Sequence, residues 1–178
     1  MQEKIYTVCF MLGDKAEIMK LYSLYSMNDI DKPITFEGKI VFAKTLKGIK
    51  GCLPFCGVDY IGDIHDTGFE VNPVEAINIL LNSKNDSGSV VLSCLNTYVD
   101  FIRAVNIEID PQVKDKLYKF LDFVTFNTKQ SEFFHVNKDI KVNEIIDFIH
   151  WGTGIILNNS IIYRSVGRQS NEGLGSSI

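Results

Sequence analysis

The stretch SVVLSCLNTYVDFIRAV, residues 89–105, decides the fold. Its apolar residues recur three and four positions apart, at Val91, Cys94, Leu95, Tyr98, Ile102 and Val105. This spacing predicts an amphipathic helix, because such positions share one helical face. Asp110 and Pro111 predict a second helix, since aspartate is a strong N-cap and proline suits the first helical position. We expect helices over 89–105 and 111–124 to pack antiparallel at the centre of the core.

The segments before this helical pair predict strands and one further helix. IYTVCFM, residues 5–11, is apolar on both faces, which predicts a buried central strand. Asp14, with Glu17 three residues later, predicts a capped helix. Its apolar face would carry Ile18, Leu21, Tyr22 and Tyr25. The alternation over 34–46 predicts a half-exposed strand or a hairpin that bends at Gly38.

The remaining segments complete an α+β pattern. Residues 47–71 predict a long glycine-bearing loop, a kind of segment that is often functional. Asn72 and Pro73 predict the start of a helix. A last helix is expected over 142–151, stopped by Gly152, before a hairpin that turns at Asn158 and Asn159.

We therefore expect one α+β domain over residues 1–166, with about five helices and a small mixed or antiparallel sheet. Residues 167–178 are polar and rich in glycine and serine, which predicts a loosely attached tail.

The composition narrows the class of protein. The chain has 178 residues, 46% of them hydrophobic, and a formal net charge of −4. This charge argues against nucleic-acid binding, which needs clustered Lys and Arg.

No signal peptide and no apolar run of about 20 residues is visible, so we expect a cytoplasmic protein without a membrane segment. The cysteines are expected to be reduced structural thiols; a disulfide or a metal role for Cys52 and Cys56 is the alternative.

One short motif raises the question of a metal site. Residues 62–65, GDIH, resemble the first metal motif of the calcineurin-like metallophosphoesterases, in which an Asp and a His bind metal. The G-D-x-x-D-R-G and N-H-E segments of that family are absent here. His65 and Asp66 also resemble the paired ligands of HD-type hydrolases, but no histidine precedes His65. We therefore expect no metal and no cofactor.

A catalytic interpretation of the same region stays open as the alternative. A small hydrolase or transferase could assemble a Cys/His/Asp site near residues 52–66, from Cys52, His65 and Asp63. A cysteine nucleophile needs a lowered pKa, and Lys47 and Lys50 lie close in sequence to Cys52.

The charge pattern favours a binding function instead. Residues 51–83 contain no Lys or Arg. Acidic and aromatic residues crowd the glycine-bearing loop, at Asp59, Tyr60, Asp63, Asp66, Phe69 and Glu70. Like charges this close repel each other unless a basic partner neutralises them. We predict that these residues, with Trp151 as an interface candidate, bind a basic protein partner. A solvated loop without a role is the alternative, and for Trp151 a structural plug at the end of its helix.

This profile favours a bacterial immunity or antitoxin protein. A nuclease toxin has a cationic active site, which an acidic inhibitor can cover with fast association. The sequence leaves the partner's identity and the oligomeric state undetermined.

Overall fold

The computed structural model describes residues 4–13, 17–27, 32–60, 64–82, 88–127 and 130–164. Within these ranges the strands are β1 (Lys4–Leu12), β2 (Met19–Met27), β3 (Lys32–Pro33), β4 (Thr35–Phe36), β5 (Lys39–Phe42), β6 (His65–Val71) and β7 (Ser160–Ile162). The helices are α1 (Leu46–Lys50), α2 (Pro73–Leu81), α3 (Gly88–Ala104), α4 (Pro111–Phe126), α5 (Gln130–Val136) and α6 (Val142–Asn158). The predicted α+β class in a single domain is confirmed, with six described helices rather than about five.

Two small mixed sheets form the β part. The larger has the order β3-β2-β1-β6, with β1 antiparallel to β2 and parallel to β6. The smaller has the order β4-β5-β7 and joins the larger sheet where Tyr22 pairs with Ala43. Strand β1 is therefore an inner strand, and it is buried on both faces, as predicted.

Hydrophobic cores lie on both sides of β1. The larger core fills the space between the sheet and the helices, where the ring of Phe10 lies 4.9 Å from that of Phe101 and 5.3 Å from that of Phe42. The smaller core contains Ile5 and Cys52 on the opposite side. Helices α3 and α4 both contribute buried faces to the larger core, so their predicted central position is confirmed.

One predicted turn and two predicted helix caps are confirmed. Strands β4 and β5 form an antiparallel hairpin that turns at Gly38. The Asn72 side chain accepts a hydrogen bond from the Glu75 backbone N–H at 3.0 Å and caps α2. Asp110 caps α4 in the same way, through the backbone N–H groups of Gln112 and Val113.

The predicted helix after Gly13 is wrong, since Met19–Met27 is strand β2. All nine of its residues pair with β1. The spacing of Leu21, Tyr22 and Tyr25 fits a helix, but tyrosines also favour strands, and the pairing with a central strand decides between the two. Asp14 lies outside the described residues.

The predicted long loop over 47–71 is also wrong at both of its ends. Residues 46–50 form α1, which the Thr45 hydroxyl caps by accepting from the Gly48 N–H at 3.0 Å. Residues 65–71 form β6, because the exposed edge of β1 supplies backbone partners to a parallel strand. Only the middle of this segment lacks regular structure among the residues described.

The end of α6 differs from the prediction as well. The helix continues through Gly152 to Asn158, so the predicted hairpin at Asn158 and Asn159 does not form. A Cβ atom at Gly152 would lie 2.7 Å from the Tyr98 ring. The glycine therefore serves the close packing of α6 on α3, and it does not end the helix. Residues 160–162 instead form β7, parallel to β5.

Helix α5 has no predicted counterpart, because a seven-residue helix carries too few apolar repeats to stand out.

No helix within the described ranges combines the length and the apolar character needed to cross a bilayer.

Candidate binding cleft

A cleft of about 810 Å³ lies between the larger sheet and the helices α2 and α3. Three aromatic side chains line its sheet side: Tyr6 of β1, Tyr25 of β2 and Phe69 of β6. Polar side chains of α3, among them Ser93 and Asn96, line the opposite wall. Its volume falls within the range of about 300–1,000 Å³ that is typical of small-molecule binding sites.

The strand register decides which predicted residues reach this cleft. Phe69 pairs with Val8, and both line the cleft. Glu70, the next residue, pairs with Cys9, so its side chain points to the other face of the sheet. There its carboxylate lies 3.2 Å from the ammonium group of Lys20. Phe69 therefore belongs to the cleft, while Glu70 borders it with a carboxylate already held in an ion pair.

The carboxylate of Asp100 is the acidic group that α3 brings to the cleft. It accepts a hydrogen bond from the Tyr25 hydroxyl, and its side chain is 29% exposed. The Tyr25 ring lies 5.3 Å from that of Tyr6. Arg103 approaches Asp100 at 3.8 Å, with a side chain that is 56% exposed. Asp100 is thus a half-buried carboxylate beside two aromatic rings, with one face open to solvent.

Glu75 supplies a second carboxylate at the N-terminal turn of α2, where the helix dipole favours an acid. The Asn72 side-chain amide donates to it at 3.4 Å. Among the described residues that line the cleft there is no Lys, Arg or His. Arg103 pairs with Asp100 from outside the lining of the cleft, and the described lining itself offers two carboxylates and three aromatic rings to a cationic group.

Of the other predicted loop residues, Asp59 and Tyr60 do not line the cleft. Asp59 is exposed and lines a neighbouring cavity of about 700 Å³, together with Lys32 and Arg103. Asp100 lines both cavities, so the two meet at its side chain. Tyr60 is half-buried against the smaller core. Asp63 and the side chains of His65 and Asp66 lie outside what the structure describes.

Trp151 lies in a separate groove of about 540 Å³ between α4 and α6. It is 40% exposed, and its ring lies 5.7 Å from that of Phe148. Four acids and one lysine line the same groove: Glu108, Asp110, Glu144, Asp147 and Lys116. This groove shares no lining residue with the cleft, so the structure does not bring Trp151 together with Phe69.

The structure buries Cys52, the cysteine of the catalytic alternative. Cys52 is fully buried, and contact with the thiol of Cys56, together with burial, raises its pKa. A buried thiol that keeps its proton is a poor nucleophile toward a substrate that arrives from solvent. Within the described ranges no three His, Cys, Asp or Glu side chains converge as metal ligands would.

Sequence reasoning missed the cleft residues Tyr6, Tyr25, Glu75 and Asp100 as functional candidates. The apolar spacing predicts a helix around Tyr25, and a helix there would not place Tyr25 beside Tyr6. One signal was available for Asp100, which stands between buried Val99 and Phe101 in an apolar run. A carboxylate in such a position lowers the stability of the fold unless a hydrogen-bond or ion-pair partner compensates for its lost hydration.

Comparison with known protein families, with curated proteins and with solved structures found no match to this chain.

Proposed function

We propose that this chain is a non-catalytic protein-binding module whose cleft binds a cationic side chain of a basic partner protein. The biological role we infer is that of an immunity or antitoxin-type inhibitor, which neutralises a basic partner such as a nuclease toxin. The observation that carries this proposal is the half-buried Asp100 carboxylate in an aromatic-lined cleft, where it accepts from the Tyr25 hydroxyl and Arg103 approaches it at 3.8 Å.

The chemistry of the cleft favours arginine or lysine as the inserted group. A guanidinium group stacks on aromatic faces and binds carboxylates through paired hydrogen bonds. Tyr6, Tyr25 and Phe69 offer the faces, while Asp100 and Glu75 offer the carboxylates. The hydroxyl and amide groups of α3 can accept further hydrogen bonds from the inserted side chain.

The surroundings of the cleft support a protein partner over a small cation. The cavity that Asp59 lines continues from Asp100, so a bound segment has room on both sides of the inserted residue. Exposed acids near a binding site, here Asp59 and Glu75, accelerate the approach of a basic protein. Lys32 and Arg103 in the neighbouring cavity suit a neutral or acidic group of the bound segment. An inhibitor of a cationic enzyme needs two features. Acidic residues must speed association by electrostatic attraction, and one buried contact must supply much of the binding energy.

A peptide-display selection tests the ligand class without assuming a partner. Random peptides are selected on the wild-type chain and on the double variant Glu75→Gln/Asp100→Asn. We expect the wild type to enrich peptides with a central Arg or Lys, and the double variant to lose this enrichment. The variant Asp122→Asn/Asp139→Asn, which neutralises two exposed acids outside the cleft, is the matched control. Enrichment of peptides without basic residues, or an unchanged motif in the cleft variant, would contradict the proposal.

Co-expression tests the biological role. We expect the wild-type chain, and not the cleft double variant, to restore growth of cells that express a toxin-like protein from a neighbouring reading frame. Equal protection by both would place the neutralising surface elsewhere.

A further inference from the structure

The turn after α1 carries two thiols in contact. The sulfur atoms of Cys52 and Cys56 lie 3.9 Å apart. A backbone hydrogen bond of 2.9 Å from the Cys56 N–H to the Cys52 carbonyl closes one turn of chain between them. Cys52 is fully buried in the smaller core, while Cys56 is partly exposed. Solvent therefore reaches one thiol of the pair.

The environment makes the two thiols chemically unequal. Contact with the Cys52 thiol lowers the pKa of Cys56, although partial burial opposes this. Contact with Cys56 and burial raise the pKa of Cys52. The exposed member is thus the better nucleophile, and the buried member keeps its proton. The other two cysteines, Cys9 and Cys94, are both buried, and burial raises the pKa of Cys94 to about 12.

We propose that Cys52 and Cys56 form a reversible redox pair, in which Cys56 reacts with a hydroperoxide and Cys52 resolves the product as a disulfide. This role is independent of the cleft and adds a modification site to the binding function.

Hydrogen peroxide can oxidise the two thiols to a disulfide in two steps. The Cys56 thiolate attacks one peroxide oxygen, the O–O bond breaks, and the departing hydroxide takes up a proton as water. The resulting sulfenic acid is attacked by the Cys52 sulfur. The S–O bond then breaks, and the hydroxide leaves as water with the proton of the Cys52 thiol. The two thiols lose two electrons in total, which reduce one peroxide to two waters.

Oxidation would reshape the turn. A disulfide needs an S–S distance of about 2.05 Å and Cβ atoms about 3.8 Å apart. Positions four residues apart on a helical turn have Cβ atoms roughly 5–6 Å apart. The segment must therefore tighten, and it carries Phe55, whose 41% exposed ring lies 4.2 Å from that of Phe36 and 5.3 Å from that of Tyr163. Oxidation is thus expected to displace an aromatic surface formed by these three rings.

Intact-mass spectrometry of the folded full chain tests the proposal. After hydrogen peroxide treatment we expect the loss of two hydrogens, a disulfide that peptide mapping assigns to residues 52 and 56, and full reversal by dithiothreitol. Cys56→Ala should abolish the bond. Cys52→Ala should stop at a sulfenic acid on Cys56 that dimedone traps, and Cys94→Ala should behave as the wild type.

A second measurement needs no variant. In the native, reduced wild type, iodoacetamide should label Cys56 at least about tenfold faster than Cys9 or Cys94, because only Cys56 combines exposure with a lowered pKa. Equal labelling rates would overturn the proposal. Oxidation of Cys56 to sulfinic acid without a disulfide to Cys52 would overturn it as well.

Discussion

Gly152 shows how one residue sets the distance between two helices. Its missing side chain lets α6 approach the Tyr98 ring of α3, where the Tyr98 hydroxyl and the Thr153 hydroxyl share a hydrogen bond of 2.8 Å. Gly154, two residues further along α6, has no atom within 4 Å of the place where a Cβ would lie. The two positions therefore predict opposite effects of the same substitution.

We expect Gly152→Ala to lower the free energy of unfolding by about 1–3 kcal/mol, because the methyl group forces Tyr98 or the helix to shift. Gly154→Ala should raise it by about 0.5–1 kcal/mol, because alanine restricts the unfolded chain and favours helix. Urea denaturation followed by circular dichroism measures both. A loss of stability at Gly154 equal to that at Gly152 would refute the packing explanation.

The folding stability of the chain depends on pH through Glu144. Its carboxylate lies 2.5 Å from the Lys116 ammonium group and accepts a 2.8 Å hydrogen bond from the Lys141 backbone N–H. The Lys116 contact, with the Lys141 N–H, lowers the pKa of Glu144 below its ordinary value of 4.5. A lowered carboxyl pKa adds stability above the unfolded value, and this stability is lost as the pH falls through the folded value.

The wild type should therefore lose more unfolding free energy than Glu144→Gln when the pH falls from about 6 to about 3. Urea titrations at each pH measure the difference, and Asp122→Asn controls for the removal of one surface charge. Parallel pH profiles for the wild type and Glu144→Gln would contradict this expectation.

Local sequence signals were sufficient to predict three of the helices but not two of the strands. Caps at Asn72 and Asp110 and long apolar repeats predicted α2, α3 and α4, and these helices form. They failed for β2 and β6, because each is defined by pairing with β1, a contact between distant residues that periodicity does not reveal. The cleft depends on both missed strands, so its aromatic wall of Tyr6, Tyr25 and Phe69 could not be predicted.

The helical face of α4 allows a direct test of element packing. Leu121 is buried in the larger core, so Leu121→Ala should cost about 2–5 kcal/mol by leaving a cavity. Leu81→Ala, at a side chain that is 59% exposed, should change stability by less than about 0.5 kcal/mol. Chemical denaturation compares the two variants. A cost below about 1 kcal/mol at Leu121 would show that this face of α4 is not part of the core.

At the scale of the whole molecule, the fold brings together groups that lie far apart in sequence. Tyr6, Tyr25 and Phe69 come from three neighbouring strands, and Asp100 reaches them from the C-terminal part of α3. The predicted acidic loop is thereby divided: Phe69 faces the cleft, Glu70 pairs with Lys20, and Asp59 lines the neighbouring cavity. The binding proposal accordingly depends on the cleft and not on a single acidic segment.

Nuclear magnetic resonance mapping with a matched peptide pair tests whether the cleft binds a cationic side chain. A short peptide with one arginine between aliphatic residues is titrated into the labelled chain, and the same peptide with citrulline, which has the same shape without the charge, is the control. We predict that the arginine peptide shifts the amide resonances of Tyr25, Phe69 and Asp100, and that citrulline weakens binding at least about tenfold, or about 1.4 kcal/mol. Equal binding of both peptides, or shifts confined to the Trp151 groove, would contradict the account.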